Sequence, residues 1–191
     1  MYWQVYLHKT AVACEKVLVN TLLRAKYLAM NGEAVFAPPS LQYFLSNEVD
    51  AAWFSQHEEA LRNYEMLDDN DIWSAIKVWM NSHDKILSIL ANNLINRNIF
   101  QVEVHENPIS EERLDDLRKQ ISKKTGIAEE DAHYLMNVSV IQKDMYDVND
   151  DRIGILYKDG TIRDIADSSE ILNIGLLSKK IRKYYLCYQR L

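Results

Sequence analysis

The sequence predicts an α+β fold: a helical first half followed by a small antiparallel β-sheet lobe with one or two helices. Three observations carry this. Apolar residues recur at three- and four-residue steps up to about residue 96, and the period changes to strict alternation at Phe100, Val102 and Val104. Strand-like stretches then occur close together, without the regular strand–helix alternation of a doubly wound sheet. The expected division is a helical region over 1–98 and an α+β lobe over 99–191.

The elements follow in order. Ala11, Cys14, Leu18, Leu22, Ala25 and Ala29 trace one face of a long helix, and Asn31-Gly32 stops it because glycine accepts the left-handed conformation beyond a helix end. Pro38-Pro39 breaks the chain before a short helix at Leu41–Leu45. Residues 50–66 read as helix, with Trp53, Phe54, Ala60, Leu61 and Tyr64 as core. The cluster Asp68-Asp69-Asn70-Asp71 supplies cap residues for a helix using Ile72, Ile76 and Trp79. Ser82 restarts the chain as a helix built on Ile86, Leu90 and Leu94. After the strand at 100–104, Pro108 and Ser110 open a helix with Leu114, Leu117 and Ile121 inward, ending near Gly126. Tyr134–Ile141 reads as a strand. Ile153–Tyr157 and Thr161–Ile165 flank Lys158-Asp159-Gly160 as a hairpin, Ser169–Ile174 as a short helix, and Tyr184–Tyr188 as a last strand.

Composition narrows the function classes. The 191 residues are 48% hydrophobic and 26% charged, enough for a core without staples. A net charge of −6 argues against general nucleic-acid binding, which depends on neutralising many phosphates, but leaves room for a compact basic pocket. Cys14 and Cys187 are too few and too far apart in sequence to read as a metal ligand set, and a reduced, cytoplasmic protein is the expectation. No run of about 18 apolar residues occurs, so no membrane-spanning helix is expected. Neither G-x-G-x-x-G nor a Walker-type loop is present, which removes the glycine-rich routes to phosphate binding.

One dipeptide invites a metal site. His83-Asp84, with His57 upstream and Asp115, Asp116 or Asp131 downstream, has the imidazole and carboxylate mix that holds a divalent ion and generates hydroxide at neutral pH. The competing reading is Ser82 as helix cap with Asp84 in the first turn, where a negative charge suits the helix dipole. A two-letter motif matches often by chance, and capping is favoured.

Three stretches resemble the HD-domain deoxynucleoside triphosphohydrolases, a family that includes the vertebrate SAM-and-HD-domain enzyme and many bacterial relatives. Tyr2-Trp3-Gln4-Val5-Tyr6-Leu7-His8-Lys9-Thr10 looks like the family's "vY-x-HK" segment after the catalytic Asp. Asp71–Ile76, running through Ile86-Leu87 to Arg97-Asn98-Ile99-Phe100, is similar to its helix pair ending in "R-x-[LI]-F". Lys183–Tyr188 looks like the final strand of bacterial members. The three occur in family order across nearly the whole chain.

The resemblance implies a C-terminal half, with the H…HD…D metal ligands upstream of Met1 and His83-Asp84 far downstream of the metal site. It implies no catalytic residue, metal ligand or cofactor in this chain, whereas the full-length family uses a divalent metal (Mg, Mn or Fe). By resemblance Tyr6 walls the substrate pocket, while His8, Lys9 and Arg97 contact a regulatory nucleotide and Lys158 adds a further cation. Leu7 departs from the vertebrate pattern, in which a Gln reads the nucleotide. The implied partners are a nucleotide (a dNTP or GTP-like molecule), an HD-core segment in cis or trans, and further copies of the chain. Two other readings stay open: a non-enzymatic regulatory or assembly module, and a standalone metallohydrolase using His57, His83 and Asp84. If the HD lobe is missing, apolar surface on the first helix should be uncovered and drive dimerisation or rearrangement.

Overall fold

The computed structural model describes residues 8–143, 154–164 and 181–191. The helices are α1 (Lys9–Met30), α2 (Pro39–Ser46), α3 (Ala51–Gln56), α4 (Glu58–Met66), α5 (Asp69–Trp79), α6 (Lys85–Ile95) and α7 (Glu111–Thr125). Strand β1 (Gln101–His105) precedes α7, and a 3-10 turn at Glu130–Leu135 leads into β2 (Met136–Lys143). β3 (Gly154–Leu156), β4 (Ile162–Asp164) and β5 (Ile181–Tyr188) follow. The fold is α+β, as the sequence predicts.

The chain divides into two compact units. The larger holds the residues up to Glu103, Ile109–Val138 and Leu186–Leu191, and the smaller holds Val104–Pro108 and Ser139–Tyr185. β1, β5 and β2 are neighbours in that order in a three-stranded sheet, with β5 central. In the larger unit, α1 packs against α6, α2 and the 3-10 turn, and α5 packs on α6. Its core includes Val17, Ile76, Leu90, Leu117, Leu135 and Leu186, all fully buried. In the smaller unit β3 and β4 pair antiparallel, Gly154 opposite Asp164 and Leu156 opposite Ile162. Their turn closes through Tyr157 N–H to Thr161 O (2.8 Å), with Gly160 at φ 82°.

Local chemistry sets the helix ends. Asp68 and Asp71 form a reciprocal capping box that starts α5. Ser110 caps α7, and Gly126 at φ 67° ends it. α1 stops at Asn31, with Gly32 beyond it at φ 81°.

Two expected faces need correction. The inward face of α1 carries Val17, Asn20, Thr21, Arg24, Ala25 and Leu28, while Ala11 and Cys14 are exposed. The polar residues on that face bind inside the core: Asn20 Nδ2 donates to Tyr134 O (2.8 Å) and Thr21 Oγ1 to Val17 O (2.7 Å). The stretch 50–66 is two helices broken at His57, and of its expected core only Ala60 is buried. Phe54, Leu61 and Tyr64 lie at the surface, Phe54 and Tyr64 meeting edge to face at 6.0 Å. The 3-10 turn replaces the first residues of the strand expected from Tyr134. The helix expected at Ser169–Ile174 lies outside the described residues.

Candidate functional site

Two clefts in the larger unit hold the chemistry-bearing residues. The first, about 420 Å³, lies at the start of α1 and is lined by Lys9, Thr10, Ile99, Phe100, Gln101, Val102, Arg190 and Leu191. His8 is the N-cap of α1, its Nδ1 accepting from Thr10 N–H at 3.3 Å. No acidic residue stands in the first turn, so the positive end of a 22-residue helix dipole is not offset locally. Lys9 and Arg190 add two cations, and Phe100 is buried in the wall. A helix N-terminus, two cations and an aromatic-backed wall suit an anion joined to a flat or apolar group.

Among the residues the resemblance singles out, Lys9 lines this cleft, and His8 precedes it as the helix cap. Arg97 is exposed and precedes the lining residues Ile99 and Phe100 by two and three positions. It stands just beyond the C-cap Asn96 of α6 in the left-handed conformation, φ 58°. Its N–H donates to Leu94 O (3.3 Å) and that of Asn98 to Asn93 O (2.9 Å), the double closure usually built on glycine. Lys158 lies in the exposed β3–β4 turn of the smaller unit. Tyr6 lies outside the described residues. Arg190 was not anticipated; the residues after the last strand carry no pattern that marks a cation as lining a cleft.

The second cleft, about 380 Å³, is lined by residues including Leu28, Phe36, Trp79, Ser82, His83 and Asp84. Asp84, not Ser82, is the N-cap of α6: its carboxylate accepts from Leu87 N–H at 2.7 Å, while Ser82 Oγ accepts from Asp84 N–H at 3.2 Å. The same carboxylate is gripped by Arg24, Nε to Oδ1 at 3.1 Å and Nη2 to Oδ2 at 2.6 Å. Arg24 reaches Asp131 at 3.4 Å, and its guanidinium lies about 5 Å from the ring centres of Tyr27 (5.1 Å) and Tyr134 (5.0 Å). Burial opposes ionisation of Asp84, but the Arg24 hydrogen bonds and the helix amides outweigh it and hold the carboxyl below its ordinary range.

The residues that a metal reading would need are engaged as follows. Asp84 has both oxygens committed to a cap and a guanidinium. His57 stacks on Trp53 at 4.0 Å, with Nδ1 against Trp53 O at 3.1 Å. Asp115 pairs with Arg118, Asp116 is exposed, and Asp131 faces Arg24. Among the described residues no group of three or more His, Cys, Asp or Glu side chains is placed to hold a metal ion.

Comparison with known proteins bears on the whole chain. All of it matches a phosphohydrolase of Bacteroides thetaiotaomicron known from a crystal structure, at 55% identity and a TM-score of 0.93, covering 47% of that chain. The chain has the fold of part of a phosphohydrolase. It is also 29% identical over 196 residues to the uncharacterized protein YwfO of Bacillus subtilis, covering all of this chain and 42% of that protein. The chain therefore spans less than half the length of both proteins. No family model matches it. Among the described residues no helix is long and apolar enough to cross a membrane.

Proposed function

We propose that the chain is the C-terminal portion of an HD-superfamily, metal-dependent (d)NTP phosphohydrolase, shaping the nucleotide pocket and supporting its assembly in the cytoplasm. The observation that carries this is the whole-length match, at 55% identity, to slightly less than half of a phosphohydrolase. The family-ordered motifs from Tyr6-Leu7-His8-Lys9 through Arg97 to Lys183–Tyr188 supply the HD and nucleotide parts of the reading. In it the divalent ion sits in the portion this chain does not span, where it would generate hydroxide and steady phosphate charge. This chain's residues act on the nucleotide. Lys9, Arg190 and the start of α1 draw in the phosphate end, His8 fixes the helix start and Arg97 adds a cation, while nucleotide contacts by Tyr6 and Lys158 rest on the family resemblance alone.

The test is a hydrolysis panel of dNTPs with Mg²⁺ or Mn²⁺, run beside equilibrium binding of the same nucleotides. The chain alone should give no turnover. It should bind a triphosphate in a salt-dependent way, and Lys9→Ala with Arg190→Ala should weaken that binding at least tenfold. Turnover by the chain alone, abolished by His83→Ala, would instead establish the standalone metallohydrolase.

The cleft beside Lys9 also keeps a second reading in play: a regulatory module that binds a nucleotide and does no chemistry. Nucleotide binding without any gain of hydrolysis when the metal-bearing portion is supplied would favour it.

A further inference from the structure

The long helix α1 departs from the usual division into a wet and a dry face. Its inward face includes the buried polar residues Asn20, Thr21 and Arg24, each hydrogen-bonded within the core. Its outward face carries Val19, Leu23, Tyr27 and Met30, at steps of four, four and three residues, and these are 42%, 53%, 50% and 46% exposed. They form a stripe about 16 Å long at 1.5 Å per residue. The lysines beside it are turned aside: Lys16 reaches Glu15 at 3.1 Å, and Lys26 donates to Asn47 O at 2.8 Å. An exposed apolar stripe on a helix whose opposite face is already packed is the mark of a contact surface within a larger body.

The relatives supply that larger body. The phosphohydrolase of Bacteroides thetaiotaomicron has the same local fold throughout this chain, and more than half of its length lies outside the match. The stripe is therefore a feature of a fold that the relative carries within a body about twice the size.

We infer that the Val19-Leu23-Tyr27-Met30 face of α1 is the docking surface for the portion of the phosphohydrolase that this chain does not span, an apolar partner surface that buries the stripe. This rests on the phosphohydrolase reading above and goes beyond it by naming the surface. Contact is made by dispersion and water release along the stripe, so a single carboxylate placed there disrupts it without touching either cleft.

The experiment co-expresses the full 191-residue chain with the complementary portion of the Bacteroides phosphohydrolase. It compares wild type with Leu23→Asp and with Leu61→Asp, a substitution at another exposed leucine, on α4. Co-purified yield and dNTP hydrolysis are read together, and circular dichroism of each isolated chain checks its fold. The expected result is an equimolar wild-type complex, at least a tenfold loss of complex with Leu23→Asp, and no loss with Leu61→Asp. A hydrolysing complex that tolerates Leu23→Asp overturns the surface and leaves the phosphohydrolase reading standing. Neither complex nor hydrolysis with wild type overturns both. A wild-type homodimer in light scattering that Leu23→Asp converts to monomer, with no complex formed, assigns the face to a second copy and refutes the inference.

Discussion

Replacing Asp84 separates two roles that share one carboxylate. Its side chain caps α6 at Leu87 N–H (2.7 Å) and holds Arg24 through two bonds, of 3.1 and 2.6 Å. Losing an N-cap costs about 1 kcal/mol. Leaving a buried charge without its partner costs about 3–5 kcal/mol where nothing else compensates. Arg24 is 9% exposed, but it keeps Asp131 at 3.4 Å and two aromatic neighbours, so the cost falls below that range, to about 2 kcal/mol. Asp84→Ala should therefore lower stability by about 3 kcal/mol, or about 9 °C in Tm for a chain this long. Asn caps a helix as well as Asp does, so Asp84→Asn should lose only about 2 kcal/mol. Urea denaturation followed by far-ultraviolet circular dichroism measures both. The Asp84 carboxyl is held below its ordinary value in the folded state, so its contribution is complete above about pH 4 and is lost as pH falls further. The gap between wild type and Asp84→Asn should close in that acid range. Equal stabilities for the two variants, or a loss below about 1 kcal/mol for Asp84→Ala, would refute the reasoning: Arg24 would then be held by something other than this pair.

Other outcomes follow from single sites. Arg97 sits at φ 58°, where glycine is the unstrained choice, so Arg97→Gly should raise stability by about 1 kcal/mol while weakening any triphosphate binding, read by thermal melts and titration of one preparation. Tyr188 donates to Glu103 Oε1 at 2.6 Å, and burial, followed by that bond, pushes its phenol up to about 12. Its contribution should be complete below about pH 10 and disappear as pH rises through about 12. Tyr188→Phe should cost about 1.5 kcal/mol at neutral pH and remove one late-ionising phenol from an absorbance titration at alkaline pH. Cys14 is exposed, whereas Cys187 is fully buried with its thiol pushed up to about 11 by that burial. A thiol reagent should therefore modify one equivalent at once and the second only in denaturant.

Much of the architecture was legible because its signals are local. The caps at Asp68 and Ser110, the glycine stops at Gly32 and Gly126, and the Lys158-Asp159-Gly160 turn each depend on a few neighbouring residues, and the structure places each where the sequence does. What periodicity misjudged was which side of a helix faces in. On α1 apolar residues occur almost all round, so the alanine, cysteine and leucine positions from Ala11 to Ala29 gave a pattern as regular as the true inward face. Asn20 and Arg24 belong inside because Tyr134 O, Asp84 and Asp131, 60 to 114 residues away in sequence, come to meet them. The candidate site shows the same limit. Lys9 was reachable through its motif, but Arg190 joins it only because the chain folds back beside Phe100. At Ser82-His83-Asp84 the sequence favours a helix cap, but that Asp84 itself is the cap and also holds Arg24 depends on a guanidinium 60 residues away.

The discontinuous make-up of the larger unit has a consequence for synthesis on the ribosome. Leu186, Cys187 and Tyr188 are buried in a core whose other walls, from α1 to β2, emerge much earlier. Asn93 and Leu135 also wait for Gln189, which accepts from Asn93 Nδ2 at 2.6 Å and donates its N–H to Leu135 O at 2.8 Å. The closing residues, Leu186–Leu191, arrive after the whole smaller unit has been translated, so the helices must persist with one wall open, and their lifetime in that state depends on translation speed. A pause while residues 139–185 are being made would lengthen the exposure of that unfinished core to chaperones and proteases.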